Sequence, residues 1–298
     1  MTTVERLGSK VGSTAVSEEA AATLRSFTLG DQQVQKALAD GWTYKQTDVA
    51  YQDEGTELMG LAVWVERDDA SRQILGERPC VLVCPTAVGL REDFLFGALD
   101  RYASLGYVAF GVDMYGEGAV WDKGRSRAIR QPLTADRTKL QRRMVAAYQA
   151  AQSLPQVQED NIAVVGYCFG GMCALDLARA GVPMKGVVSF HGVLDRPAVD
   201  KVPGGLSCPV LVHHGSDDPF ISPDQFQAFQ QELSDQRTDW QIHIYGGAKH
   251  SFTRPEKVTQ ADRDAGLQYC PKSERRSYRT TKAFLQDIFP DFSSPIQQ

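Results

Sequence analysis

From Thr43 almost to the last residues, short continuous apolar runs alternate with stretches of helical periodicity, and few architectures accept that rhythm. LAVWVE (61–66), CVLVC (80–84), YVAFGVD (107–113), IAVVGY (162–167), GVVSF (186–190), PVLVHH (209–214) and WQIHIY (240–245) read as strands. Helical patterns lie between and after them at about 92–104, 136–153, 170–180, 223–234 and 274–288. Strands that are apolar on both faces must be covered on both faces, and connections long enough to hold a helix join parallel neighbours. The pattern predicts an α/β fold with a mainly parallel central sheet flanked by helices. With no Pro/Gly-rich linker, low-complexity tract or internal repeat to divide it, 43–298 is expected to form one domain. Residues 1–42 are polar and rich in Ala, Ser and Thr; they read as an N-terminal extension, with a short helical pattern over SEEAAATLRSF that Ser17 could cap. GEGAVWDKGRSRAIRQP (116–132) is long, polar and Gly-containing, and a loop or cap segment near the C-terminal edge of the sheet is expected there.

Composition narrows the partners. A hydrophobic fraction of 42% and a charged fraction of 23% suffice for a sizeable core without disulfides or metals. With 32 Lys+Arg against 37 Asp+Glu the net charge is -5, which offers no electrostatic footprint for nucleic acid or an anionic membrane, so a small-molecule substrate is expected. The six cysteines, Cys80, Cys84, Cys168, Cys173, Cys208 and Cys270, are scattered through a long chain, a usage that fits reduced thiols in a cytoplasm. No apolar run approaches the roughly 18 residues of a membrane span, and MTTVERLGSK lacks the apolar stretch of a signal peptide. A cytoplasmic monomer or homodimer is expected.

The chemistry concentrates at Gly166-Tyr167-Cys168-Phe169-Gly170-Gly171, which follows the apolar run IAVVGY and precedes the helical pattern MCALDLARA. A Gly-x-Cys-x-Gly string arises by chance in a chain of this composition roughly one time in twenty, so the flanking strand and helix carry most of its meaning. A nucleophile elbow needs this arrangement because the side chain must stand clear of the sheet on a strained turn, and glycines at 166 and 170 remove the Cβ atoms that would collide. At the mouth of a helix the sulfur also meets unpaired N–H groups and the positive end of the macrodipole, both of which favour thiolate. Cys80, Cys84, Cys173 and Cys208 lie in or beside apolar runs and read as small buried hydrophobes. Cys80 and Cys84 do not read as metal ligands, because their spacing lies inside one strand and no His/Cys partner pair with zinc spacing occurs.

Two further elements follow strands. HGSDDP (214–219) places Asp217 and Asp218 after PVLVHH, where an α/β sheet presents its working groups; either could orient an imidazole. GGAKHSF (246–252) places His250 on a Gly-rich loop after WQIHIY, whereas His213, His214 and His243 lie in or at the ends of apolar runs and His191 precedes the acid. Nucleophile, acid and histidine thus occur in the chain order of an α/β-hydrolase triad.

The blocks GYCFGGMCALDLARAG, SFHGVLDRP, HGSDDPF, GAKHSF and ERRSYRTTKAFLQDIF resemble, in that order, those of the dienelactone hydrolase family, a cysteine branch of the α/β-hydrolases. The resemblance covers about residues 45–290 and implies an α/β-hydrolase fold, no cofactor and no metal, and an ester or lactone substrate. It makes Cys168 the nucleophile, Asp218 the acid and His250 the base, with the backbone N–H groups of Phe169 and Ala87 as the oxyanion hole. Arg254, four residues past the histidine, falls where the family binds a substrate carboxylate, and Thr86, Tyr115, Glu117 and Phe252 fall in the blocks that border the substrate. Two positions depart from the family pattern: Thr86 replaces a glutamate beside the thiol, and Glu117 stands where a second carboxylate-binding arginine belongs.

The reaction expected is hydrolysis through a thioacyl-enzyme. The alternatives are a non-hydrolytic reaction at the same site, such as C–C cleavage, lactone formation or isomerisation, and a binding protein that has lost its catalytic machinery.

Overall fold

The computed structural model describes residues 32–67, 76–116, 123–196, 205–294 and 296. In chain order the elements are α1 (Gln32–Ala39), β1 (Trp42–Asp53), β2 (Thr56–Arg67), β3 (Arg78–Cys84), α2 (Asp93–Ala103), β4 (Val108–Gly111), α3 (Lys123–Ala135), α4 (Arg137–Gln152) and β5 (Val157–Tyr167). They continue as α5 (Phe169–Arg179), β6 (Gly186–Phe190), β7 (Val210–Gly215), α6 (Pro223–Asp235), β8 (Trp240–Tyr245), α7 (Gln260–Asp264) and α8 (Pro271–Ile288). The strands form one sheet in the order β1-β2-β4-β3-β5-β6-β7-β8. From β4 to β8 every neighbouring pair is parallel; β1–β2 and β2–β4 are antiparallel. This is the mainly parallel sheet that the apolar rhythm predicts, and the α/β-hydrolase fold is the one the resemblance implies.

Alternation of side chains across the pleat divides the core into two layers. Leu82, Val164 and Val187 point into one with Met144 of α4 and Leu175 of α5, while Val81, Val83, Val165 and Leu211 point into the other with Leu99 of α2 and Phe284 of α8. Every residue of β3, β6 and β7 is buried, which is why these strands read as unbroken apolar runs.

The elements departing from the sequence expectation sit at the margins. β1 and β2 form a hairpin of 12-residue strands around Glu54 and Gly55, whose φ values of 45° and 79° give the turn the hand that twisted antiparallel strands require. β1 is the sheet's outer edge and mostly solvated, so it lacks an apolar run to announce it. β5 begins at Val157, ahead of the apolar segment. Of the stretch 116–132, expected as a loop or cap segment, the described part from 123 onward forms helix α3, with Pro132 inside it. Leu133 is buried and Ile129 packs on the core, so a few apolar contacts hold a helix of otherwise polar sequence. Ahead of β1, α1 buries Val34 and Ala37, and Ala37 joins the core layer that contains Trp42. The helical pattern over SEEAAATLRSF lies outside the described residues. Among the described residues no helix is long and apolar enough to cross a membrane.

Because β3, β5, β7 and β8 are parallel, the loops leaving their C-terminal ends emerge on one side of the sheet. Those loops carry Thr86 and Ala87, then Cys168, Asp218 and His250. Residues far apart in the chain are thereby gathered at one edge.

Candidate active site

Cys168 is the single residue between β5 and α5, and its backbone has φ 57° and ψ −115°. An L-residue adopts that conformation only under constraint, at a cost on the order of 1–3 kcal/mol. The constraint is steric. A Cβ built on Gly166 would lie 1.9 Å from the Gly170 carbonyl oxygen, and one on Gly170 would lie 2.4 Å from the Cys84 carbonyl oxygen. Strand, turn and helix thus close against each other and against the end of β3 with no room for a side chain at either glycine. The Cys168 N–H donates to the Phe190 carbonyl at 3.0 Å, tying the crest of the turn to β6.

The sulfur is partly exposed and faces His250 Nε2 at 3.0 Å; His250 Nδ1 is 2.8 Å from Asp218 Oδ2. The other Asp218 oxygen accepts the Phe220 N–H at 2.9 Å. Asp218 and His250 are both buried. Asp217 turns away and bonds Ser216 on the exposed side, so the geometry chooses Asp218 from the two neighbouring acids. Burial by itself would raise the Cys168 thiol, but the charge and hydrogen bond of His250, with Arg254 and the Phe169 N–H, hold it below the ordinary thiol value. Burial would likewise lower His250, yet the Cys168 sulfur and Asp218 push it up to about 10. Each group thus favours the charged form of the other, the sulfur toward thiolate and the ring toward imidazolium.

A second charged cluster adjoins the first. Arg254 Nη1 donates to Thr86 Oγ1 at 2.9 Å, Nη2 donates to Glu92 Oε2 at 2.6 Å, and Nε donates to Glu256. Thr86 Oγ1 in turn donates to Glu92 Oε1 at 2.5 Å. The guanidinium also lies 5.3 Å from the ring centre of Phe94. Burial raises the Glu92 carboxyl against the pull of Arg254. Glu92 stands at the N-cap of α2 but makes no cap hydrogen bond, because its side chain turns inward to this cluster.

The other expected site residues divide. Tyr115 stacks on Phe169 at 6.0 Å and donates to the Ala87 carbonyl at 3.0 Å, which brings the Ala87 loop beside the start of α5. Phe252 is not a pocket wall: it is fully buried, packed edge-on to His191 at 5.2 Å and against Tyr245 at 5.3 Å, so it supports the His250 loop from below. Arg254 is present at the site but already paired. Glu117 lies outside the described residues. No group of side chains that could hold a metal occurs among the described residues.

Sequence reasoning missed four neighbours of the site. Glu92 and Glu256 complete the arginine cluster. His191, set aside because it precedes the acid in the chain, lies edge-on to His250 at 5.1 Å and shares a 2.8 Å hydrogen bond with Thr253. Burial, then the nearby charges of His250 and Arg254, drive its pKa well down, so it is a neutral ring beside a charged one. Phe220, two residues past Asp218, stands edge-on to His250 at 4.9 Å with half its surface exposed. Its place two residues after the acid was the available signal for Phe220; the two glutamates had none, since only the folded loops bring them to Arg254.

Comparison with known proteins identifies the family. The dienelactone hydrolase family model matches residues 68–289. An uncharacterized protein of Caenorhabditis elegans is 35% identical over 161 residues, 53% of this chain and 99% of its own length. A carboxymethylenebutenolidase of a Pseudomonas species is 26% identical over 229 residues, 72% of this chain and 87% of that protein. Among solved structures, a dienelactone hydrolase-like promiscuous phosphotriesterase from metagenomic libraries superposes with a TM-score of 0.74 at 33% identity, covering 82% of this chain and 98% of that one. With fold, site geometry and relatives in agreement, the chain belongs to the dienelactone hydrolase family, a membership that brings with it the hydrolysis of esters or lactones.

Proposed function

We propose that the protein hydrolyses an ester or lactone through Cys168 as nucleophile, His250 as proton carrier and Asp218 as the group that orients and charges His250. The observation that carries the reading is the unbroken chain from Cys168 Sγ through the imidazole to the carboxylate, at 3.0 Å and 2.8 Å. The Cys168 thiolate attacks the carbonyl carbon, and the backbone N–H groups of Phe169 and Ala87 receive the oxyanion. Each such donor is worth about 10²-fold or more in rate. Collapse breaks the C–O bond; the leaving alkoxide takes the proton of the His250 imidazolium, and a thioester remains on Cys168. Neutral His250 then removes a proton from water as its oxygen adds to the thioester. Expulsion of the thiolate releases the acid and restores the thiolate–imidazolium pair.

Two further features support this reading. The strained backbone at Cys168 is the conformation an elbow nucleophile needs, and the neutral His191 ring beside His250 leaves the imidazolium without a second positive neighbour on that face. The phosphotriesterase relative makes a neutral phosphotriester a second electrophile worth including in a substrate panel, with attack at phosphorus in place of carbon. Rapid-quench intact mass during turnover of an activated ester should find the acyl group on Cys168, and Cys168→Ala should fold normally and lose turnover. Retained turnover in that variant, or an acyl group found elsewhere, removes the proposal.

A further inference from the structure

The arginine whose charge acts on Cys168 is already engaged inside the protein. Arg254 spends all three nitrogens of its guanidinium inside the protein, on Thr86, Glu92 and Glu256, and its side chain is 9% exposed. Two carboxylates face one cation. The cluster is net negative with both acids ionised and neutral with Glu92 protonated, so an approaching anion meets carboxylate as well as guanidinium. Glu256 Oε2 is buried without a hydrogen-bond partner, an acceptor that would repel another carboxylate. The adjacent cation Lys257 is paired with Asp262 at 3.4 Å. On the histidine side the site presents Phe220, an aromatic ring half exposed above the imidazole.

From this we infer that the substrate is uncharged around its reacting carbonyl: Phe220 is a platform for an apolar group of the ester or lactone, and Glu92 and Glu256 guard Arg254 against carboxylate-bearing substrates. The inference rests on the hydrolase reading above and names its substrate class. Specificity of this kind is set as much by what is repelled as by what is attracted. A carboxylate reaching for Arg254 would have to displace Glu92 or Glu256, each already desolvated and hydrogen-bonded, and would leave the displaced acid buried and unpaired. A neutral acyl or alcohol group meets no such obstacle and removes the exposed face of Phe220 from water. One other guanidinium is near: Arg130 of α3, half-buried, donates to the Ala87 carbonyl at 3.4 Å. It caps a carbonyl of the oxyanion-hole loop, and the inference assigns it that local role.

The test uses two matched pairs that differ in charge but little in shape. One is para-carbamoylphenyl acetate against para-carboxyphenyl acetate; the other is a γ-lactone bearing a carboxamide against the same lactone bearing a carboxylate. With the full-length protein the amide of each pair should be favoured by about tenfold or more in kcat/KM, mainly through KM, a ratio equivalent to about 1.4 kcal/mol. The double variant Glu92→Gln/Glu256→Gln unmasks Arg254 and should erase or invert that ratio. Phe220→Ala, at a half-exposed position, should raise KM severalfold for the neutral aryl ester, with the larger part of the effect in KM and the lesser in kcat. Preference of the wild type for the carboxylates overturns the inference while leaving the hydrolase reading standing, and loss of that preference in Arg130→Ala would show that Arg130 takes the anion. An unchanged KM in Phe220→Ala removes the platform. Turnover of none of the four compounds, nor of any ester or lactone, defeats the hydrolase reading and this one with it.

Discussion

Cys168 and Cys173 lie five residues apart on the same turn and helix, and their sulfurs belong to different chemistry. Cys173, inside α5, is fully buried; its thiol is driven far up, first by burial and then by neighbouring Cys84 and Asp176. At Cys168 burial pulls the same way but loses to the imidazolium at 3.0 Å, and the thiol comes down. Burial alone makes a cysteine inert. What separates the two is that the elbow aims one side chain at loops from the ends of β7 and β8, while one and a half helical turns later the other points back into the core.

The comparison breaks most sharply if His250 is removed. His250→Ala should lower kcat by about 10²–10⁴-fold and slow iodoacetamide labelling of Cys168 at neutral pH to the rate of an ordinary thiol. Undiminished labelling in that variant would mean that something other than the imidazole sets Cys168 apart. A next-largest effect is expected in stability. Gly170→Ala pushes a methyl group toward the Cys84 carbonyl, at 2.4 Å from its oxygen, and should cost about 1–3 kcal/mol or more in urea unfolding, with labelling of Cys168 altered as the turn shifts.

Acidity gives a finer test. His250 is raised from its ordinary value near 6.5 to about 10, so its stabilising contribution is complete below the ordinary value and fades as pH climbs through about 10. Cys168 is lowered, so its contribution is complete above the ordinary thiol value and fades as pH falls through its depressed value. The wild type should therefore lose more stability between neutral pH and strongly alkaline pH than His250→Ala does, measured as urea midpoints across that range; equal losses would deny the ion pair. Labelling of Cys168 should titrate below the ordinary thiol range, and Cys173 should stay unlabelled in folded protein. The smallest effect belongs to Cys173→Ala, which should cost on the order of 1 kcal/mol for the lost packing and leave turnover intact.

Much of this contrast could be read from the chain. Glycines at 166 and 170 around one cysteine, between an apolar run and a helical pattern, describe a crowded turn, and crowding is a local property that sequence records. Asp218 and His250 were legible through strand ends and order. Spacing alone left acids 217 and 218 open and the family resemblance named 218, because the choice depends on how the turn after β7 rotates: Asp217 bonds Ser216, and Asp218 faces inward. The Glu92–Arg254 contact joins residues 162 positions apart and left no local trace. Phe252, which the resemblance set among the blocks bordering the substrate, is fully buried, since the loop's path packs it on His191 and Tyr245. β1 and α3 escaped notice since their few buried residues are scattered among polar ones.

The site's sulfur and nitrogen are separated by 82 positions, and Thr86 and Arg254 by 168. A chain emerging from the ribosome therefore completes the elbow long before the imidazole that sensitises it has been synthesised. The imidazole that acts on Cys168 in the proposed reading is carried by the loop after β8, so their pairing waits on the last strand of the sheet.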